Sequence, residues 1–243
     1  MKIIKYKKLS KNKYKLFLDN NDTLTLHEDI ILKYNLLINK QIDDLNQIKK
    51  DNNNYLVYDL ALNYISIKMR CEKEIKDYLK KKQIEDELID KTINKLKENG
   101  YINDKLYVKS FILDKINLNK LGPNKIKNEL IKLNIDENVI NEELNNINKE
   151  NINNNLEYLI DKKIKTNKTC AGNVLKQKFL NEYINKGYEK EDILNILDNK
   201  DLSNNELYEK EYNKLYNKYS KKYSDDQLEY IIKQKLFQKG LKK

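Results

Sequence analysis

Two kinds of hydrophobic pattern divide the chain. Residues 1–45 contain three short runs typical of β-strands, KIIKYKKL, KYKLFL and TLTL, and the turn-forming segment DNND separates the second run from the third. A short helix from about Glu28 to Leu37 is expected to follow. From about Asn54 onward, apolar residues recur with the 3.6-residue period of helices. The pattern predicts a small three-stranded β-meander with a helix on one face, followed by a purely helical region.

The helical region repeats. Four apolar residues, Ile84, Ile135, Tyr188 and Leu241, stand 51, 53 and 53 residues apart. Apolar residues also precede each of them by five and by nine positions, which places them on one face of a helix; they are Leu79, Leu130, Tyr183 and Leu236, and Ile75, Ile126, Phe179 and Ile232. The residues directly before the four are Gln83, Asn134, Gly187 and Gly240. Asn and Gly tolerate the left-handed conformation that ends a helix, so three of these four positions suit a C-terminal cap.

Each full repeat is predicted to hold three helices, and the helical region eleven. Helical repeats of this length bury their faces against their neighbours. The predicted fold is therefore mainly α, with tandem three-helix repeats forming an elongated, curved, solenoid-like array behind a small β-containing N-terminal domain. The expected boundaries are 1–53 for the N-terminal domain, 54–104, 105–152 and 153–203 for the full repeats, and 204–243 for a partial fourth repeat.

The segment ENGYINDKLYVKSF, residues 98–111, is interpreted as the elbow between two packed helices rather than as a catalytic loop. Gly100 is expected to end one helix, and Asn103 or Asp104 to cap the next. Tyr101 and Ile102 are expected to pack into the elbow.

Residues capable of catalysis are sparse. The one histidine, His27, stands before Glu28 and Asp29, where a helix cap or a surface position is the expected role. The chain has no Cys-His cluster, phosphate-binding glycine loop or nucleophile elbow. We therefore expect no enzyme, no cofactor and no metal. Cys71 falls at a packing position of the repeat, and with Cys170 far away in the sequence it indicates a reduced, cytoplasmic protein.

The charge is unevenly distributed over a chain with a net charge of +10. Residues 105–135 hold seven lysines and two acids, and residues 161–178 hold six lysines and one acid. Positive helices that recur along an array could follow a phosphate backbone, or an acidic groove on a protein polymer. An AT-rich genome is an equally good explanation of the lysine content. No stretch approaches the roughly 20 apolar residues of a membrane span, so no membrane partner is expected.

Three segments resemble motifs of the RecX family, the regulators of the RecA recombinase. They are RCEKEIKDYLKKK, LKENGYINDKLYVKSF and LGPNKIKNELIKLNI, which together lie within residues 60–145. The matching residues are Arg70, Glu74 and Leu79 in the first, Gly100, Tyr101 and Asp104 in the second, and Gly122, Ile126, Glu129 and Leu130 in the third. Cys71 replaces a more common serine, Asn103 replaces an acid, and Lys115 stands where the family usually has arginine.

The resemblance implies a non-enzymatic regulator that binds in the groove of the RecA–single-stranded DNA filament. Such a protein limits filament growth and damps strand exchange and ATP hydrolysis, within homologous recombination, DNA repair and the SOS response. The implied partners are the RecA filament and, through it, single-stranded DNA, and the protein is expected to be a monomer. The alternative is a general basic helical-repeat protein that binds nucleic acid.

The motif residues are interpreted mainly as scaffold. The binding surface is assigned from charge instead, to lysines that neighbour the motifs. The candidates for the RecA or DNA contact are Lys115, Lys120, Lys125, Lys127, Lys162, Lys163 and Lys165.

Overall fold

A computed structural model describes residues 1–9 and 12–242 and divides the chain into two compact units, one ending at Tyr107 and one beginning at Val108. The first unit opens with three antiparallel strands in the order β1-β2-β3. They are β1 (Ile3–Lys8), β2 (Lys13–Leu18) and β3 (Thr23–His27). Leu16 and Leu26 point into the core of this domain and are buried. The predicted meander is confirmed.

The helical segment after β3 differs from the prediction of one helix over Glu28–Leu37. Two short helices form there, α1 (Glu28–Lys33) and α2 (Leu36–Asn39). The break lies at Asn35, whose φ of 48° is left-handed and interrupts the helical path. His27 is buried and caps α1, since its Nδ1 accepts the backbone N–H of Asp29 at 3.3 Å. The predicted cap role of His27 is confirmed.

Eleven further helices follow within the described residues, as predicted. They are α3 (Leu45–Ile67), α4 (Glu72–Lys81), α5 (Asp86–Glu98), α6 (Asp104–Asn117), α7 (Pro123–Lys132), α8 (Glu137–Asn145), α9 (Lys149–Thr166), α10 (Gly172–Asn185), α11 (Lys190–Asp198), α12 (Asn205–Tyr219) and α13 (Asp225–Gln238). Helix α3 starts earlier than the expected Asn54, because Asp44 caps it by accepting the backbone N–H of Gln47 at 2.9 Å. The domain boundaries and the curvature of the array stay predictions.

The second helix of each repeat carries the repeated apolar face. The eight residues at five and nine positions before the repeat column are all buried: Leu79, Leu130, Tyr183, Leu236, Ile75, Ile126, Phe179 and Ile232. Cys71 is buried as well, as predicted. In the column itself Ile135, Tyr188 and Leu241 are buried, whereas Ile84 is half-buried. The repeat read from the sequence is thus the repeat of the hydrophobic core.

The same turn ends all four of these helices. Gln83, Asn134, Gly187 and Gly240 all have left-handed φ values, of 60°, 58°, 91° and 73°. In each case the following residue donates its N–H to the carbonyl five residues earlier, as Tyr188 does to Tyr183 at 3.0 Å. This pairing is the Schellman motif, which satisfies carbonyls at a helix end. Gln83, the position that the sequence did not single out, adopts the cap conformation too.

In the second unit, α7 joins α10 through main-chain contacts. The N–H of Gly122, the N-cap of α7, donates to the carbonyl of Lys186 at 2.9 Å, and the N–H of Asn124 donates to the carbonyl of Gly187 at 3.0 Å. A Cβ on Gly122 would lie 2.2 Å from the carbonyl carbon of Gly187. Only glycine at position 122 allows this approach.

The joint recurs between α10 and α13. The N–H of Ala171, the N-cap of α10, donates to the carbonyl of Lys239 at 2.9 Å. A Cβ on Gly240 would lie 2.0 Å from the carbonyl oxygen of Ala171. In both joints the start of one second helix contacts the end of the next. We refer to these two main-chain contacts as the repeat joints.

The elbow after α5 is confirmed, with one correction. Gly100 has a φ of 74°, and the N–H of Tyr101 donates to the carbonyl of Leu96 at 2.9 Å. Asn103 is the cap of α6, because its Oδ1 accepts the N–H of Leu106 at 3.0 Å. Ile102 is buried, but the Tyr101 side chain is 51% exposed and does not pack into the elbow. Tyr101 therefore contributes to the turn through its backbone N–H and not through its ring.

Candidate functional site

Arg70 is the single arginine among 48 basic residues, and it organises the start of α4. Its Nη1 lies 3.2 Å from Oε1 of Glu74. Glu74 accepts the backbone N–H of Cys71 with its other oxygen, also at 3.2 Å. The guanidinium lies 4.1 Å from the centre of the Tyr64 ring, which stacks on Tyr78 at 4.0 Å. In this motif Arg70 and Glu74 together form the start of helix α4.

Replacement of Arg70 by Lys should destabilise this arrangement although the charge is retained. A lysine ammonium cannot stack on Tyr64 as a planar guanidinium does, so we expect a loss of about 1–2 kcal/mol in the free energy of unfolding. Urea denaturation followed by circular dichroism measures it. Lys76, which pairs with Glu72 at 2.9 Å on the same helix, offers the matched control Lys76→Arg. Equal stability of Arg70→Lys and the wild type would show that the planar group has no role.

Burial shifts the pKa of two titratable groups of the first unit, Cys71 and Asp104. Burial raises the pKa of the Cys71 thiol, which keeps it protonated and unreactive. Burial also raises the pKa of Asp104, whose Oδ1 accepts no hydrogen bond within the described part of the chain. Over residues 1–9 and 12–242, no group of His, Cys, Asp and Glu side chains is arranged to hold a metal ion.

Four of the seven candidate lysines have partners within the second unit. Lys115 on α6 pairs with Glu129 on α7 at 2.6 Å, so a family-motif residue holds it. Lys127 lies 3.7 Å from Glu137, and Lys163 on α9 pairs with Glu182 on α10. The fourth is Lys120.

Lys120 links the loop after α6 to α9. Its Nζ donates to Oδ1 of Asn155 at 2.7 Å and lies 5.3 Å from the centre of the Tyr158 ring. Its backbone is left-handed, with a φ of 50°, and its carbonyl accepts the hydroxyl of Tyr188 at 2.9 Å. Lys120 thus has structural contacts that a surface assignment from charge does not include.

The other three candidates are exposed and uncompensated. Lys125 lies on α7, and Lys162 and Lys165 lie on α9. None of the three makes an ion pair with any described residue. A lysine without an acidic partner can contact an external anion without first breaking an internal ion pair. Of the predicted set, we regard these three as the free cations and call them the exposed lysine set.

None of the described helices is long and apolar enough to cross a membrane.

The fold and these surfaces define the class: a tandem helical-repeat protein with a small N-terminal sheet and exposed lysines on repeated helices. Profiles of the RecX first and second three-helix domains match residues 58–96 and 103–144. The chain belongs to the RecX family. The resemblance seen in the three motifs is therefore confirmed.

Two relatives illustrate the extent of the match, and both are named regulatory protein RecX. The protein of Streptococcus agalactiae serotype V is 33% identical over 215 residues, which cover 87% of this chain and 81% of the relative. The protein of Lactococcus lactis is 35% identical over 177 residues, which cover 70% of this chain and 65% of the relative.

Solved structures agree on the fold. A crystal structure of regulatory protein RecX superposes with a TM-score of 0.69 at 23% identity, covering 81% of this chain and 98% of that one. The crystal structure of RecX from Lactobacillus salivarius gives a TM-score of 0.55 at 28% identity, covering 60% of this chain and 94% of that one.

Proposed function

We propose that this chain is a non-enzymatic regulator that binds the RecA–single-stranded DNA filament and lowers its ATPase and recombinase activity. It would act in the cytoplasm, within homologous recombination and DNA repair. The observation that carries the proposal is membership in a family of regulatory proteins, read together with the exposed lysine set.

The exposed lysine set is the part of the surface best suited to the contact. No described acid forms an ion pair with Lys125, Lys162 or Lys165. An anionic partner can therefore bind these lysines without breaking an internal ion pair. Lys115, Lys120, Lys127 and Lys163 would first lose internal contacts. The first three are therefore proposed to contact the filament, and the other four to hold the helices that present them.

General nucleic-acid binding is the second candidate, because uncompensated lysines suit any phosphate backbone. The two functions differ in the amount of protein needed. A regulator seated in the filament suppresses ATP hydrolysis well below the amount that coats the DNA. A competitor for DNA suppresses it only when the lattice is covered.

The test is the ATPase rate of preformed RecA filaments, titrated with this protein at fixed salt. The variant Lys125→Glu/Lys162→Glu/Lys165→Glu should require about tenfold more protein or worse for half-inhibition, since the electrostatic attraction is reversed. The matched control is Lys7→Glu/Lys49→Glu/Lys81→Glu, which makes the same charge change at exposed lysines of the first unit. The control should inhibit like the wild type.

Three outcomes are informative. Inhibition only at DNA-saturating protein would favour general nucleic-acid binding. Full inhibition by the first variant would exclude the exposed lysine set and leave filament regulation standing. Equal loss in both variants would show that net charge matters and not the location of the lysines.

A further inference from the structure

Residues 212–224 at the end of α12 and in the following turn have an unusual composition. They hold four tyrosines and four lysines, and no Asp or Glu. The tyrosines are Tyr212, Tyr216, Tyr219 and Tyr223, and the lysines are Lys214, Lys218, Lys221 and Lys222. We call this stretch the tyrosine–lysine segment. It lies apart in sequence from the exposed lysine set and from the family motifs.

The rings along α12 form a ladder. Tyr208 and Tyr212 have ring centres 6.2 Å apart with planes at 18°, and Tyr212 and Tyr216 have centres 6.3 Å apart with planes at 17°. The four-residue spacing places the three rings on one face of the helix. Beyond the helix, the rings of Tyr219 and Tyr223 lie 6.0 Å apart.

Core packing explains only part of this ladder. Tyr208, Tyr212 and Tyr219 pack partly against the buried residues of α12 and α13. Tyr216 is 46% exposed and Tyr223 is 41% exposed. Tyr216 and Tyr223 therefore expose part of their ring surface to solvent. Packing in the core does not explain why aromatic residues occupy these two positions.

Among the lysines of the segment, Lys214 acts electrostatically on the adjacent Glu211 and helps to lower its pKa, after the larger effect of the hydrogen bond from Lys239. None of Lys214, Lys218, Lys221 and Lys222 forms an ion pair with a described residue. Other lysines of the same repeat do: Lys233 pairs with Glu229 at 2.6 Å, and Lys239 pairs with Glu211 at 2.7 Å. Lys218 and Lys235 lie 5.4 and 5.6 Å from the centre of the Tyr219 ring. Positive charge and exposed aromatic surface thus occur together, without an acid between Glu211 and Asp225.

We infer that the tyrosine–lysine segment is a second binding surface, for single-stranded DNA. Bases with free faces stack on Tyr216 and Tyr223, and phosphates contact the neighbouring lysines. Single-strand binders combine the same two elements, aromatic faces for bases and a positive track for the backbone. A duplex offers the phosphates but not the base faces. The choice of DNA over RNA rests on the proposed function, since the filament partner is built on single-stranded DNA.

The test uses the full chain without RecA, and measures fluorescence anisotropy of a labelled oligothymidylate of about 12 nucleotides, within the site sizes of such binders. Tyr216→Leu/Tyr223→Leu should weaken binding about tenfold or more, whereas Tyr216→Phe/Tyr223→Phe should stay within about twofold of wild type. Tyr101→Leu is the matched control, because Tyr101 is similarly exposed at 51% and lies outside the segment. Circular dichroism verifies that each variant is folded.

Salt dependence separates the roles of the two residue types. Lys218→Gln/Lys221→Gln/Lys222→Gln should reduce the slope of log affinity against log salt by about 2, at about 0.7 per phosphate contact on single strands. The Tyr→Leu pair should lower the affinity and leave that slope unchanged. The same Tyr→Leu pair should not alter the affinity for a duplex of equal length.

Repeating the titration in the Lys125→Glu/Lys162→Glu/Lys165→Glu background distinguishes this surface from the proposed filament contact. The tyrosine effect should persist there, whatever that background does to RecA. An equal loss with Leu and Phe, or an equal loss on duplex, would overturn stacking. No loss with Leu would overturn the surface itself, and tighter binding of oligouridylate than of oligothymidylate would overturn the assignment to DNA.

Discussion

Replacement of Ile126 by Asp is expected to unfold at least the repeat that contains it. Ile126 is 0% exposed, on the face of α7 that forms the core. A carboxylate there would be buried without a partner, at a cost of about 4 kcal/mol or more. That is a large part of the stability of an ordinary domain. The far-ultraviolet circular dichroism signal should fall, and the first thermal transition should move to lower temperature.

Asn128→Asp is the control for that experiment. Asn128 is exposed on the same helix, so it gains the same charge without burial. It should change the melting temperature little. Wild-type melting of the Ile126 variant would mean that the repeated apolar face is not core, and the repeat would lose its physical basis.

Replacement of Gly187 by Ala is expected to open the joint between α7 and α10. The φ of Gly187 is 91°, and its added Cβ would lie 2.3 Å from the backbone nitrogen of Lys125. The left-handed conformation costs about 1–2 kcal/mol and the overpacking about 1–3 kcal/mol more. Together they predict a loss of about 2–5 kcal/mol in the free energy of unfolding. Hydrogen exchange should accelerate at the amides of Gly122 and Asn124, which donate across the joint.

Gly100→Ala separates the two costs. Gly100 also has a left-handed φ, of 74°, but nothing lies within 4 Å of an added Cβ. It should therefore lose only the conformational part, about 1–2 kcal/mol. Urea denaturation measures the free energy of unfolding of both variants. An equal loss in the two would show that the close contact of Gly187 with Lys125 does not contribute to stability.

Local rules predicted the repeats well, because the relevant signals lie within one helix. The spacing of Ile126 and Leu130 identifies the apolar face of α7, and Asn134 marks the end of the same helix. Gln83 shows the limit of reading caps from residue type. Its left-handed φ of 60° is imposed by the same turn, although glutamine has no preference for it. The helix predicted over Glu28–Leu37 is broken at Asn35. One asparagine in an apolar run is a weak signal for a helix end, so the sequence did not indicate this break.

The binding surface was predicted less well, because charge pairing is a tertiary property. Nothing in sequence spacing couples Lys163 to Glu182, or Lys120 to Asn155, which lies 35 residues away. Sequence reasoning also passed over residues 212–224. The signal was present, in tyrosines at four-residue steps and a run of residues without acids. Only the exposure of Tyr216 and Tyr223 shows that those rings are not all core.

The repeat joints have a consequence for how such a chain can lengthen. Each joint is a close contact between main-chain atoms at small residues. Gly122 contacts Gly187 in the first joint, and Ala171 contacts Gly240 in the second. Side chains reinforce the first joint, because the Tyr188 hydroxyl donates to the Lys120 carbonyl at 2.9 Å and the Asn124 amide donates to Glu189 at 2.7 Å. When a repeat is duplicated, the start of its second helix already fits the end of the second helix in the following repeat. The end of its second helix likewise fits the start of the second helix in the preceding repeat. Gene duplication can therefore add a unit without first evolving a new interface, and the copies can diverge afterwards while their period is retained.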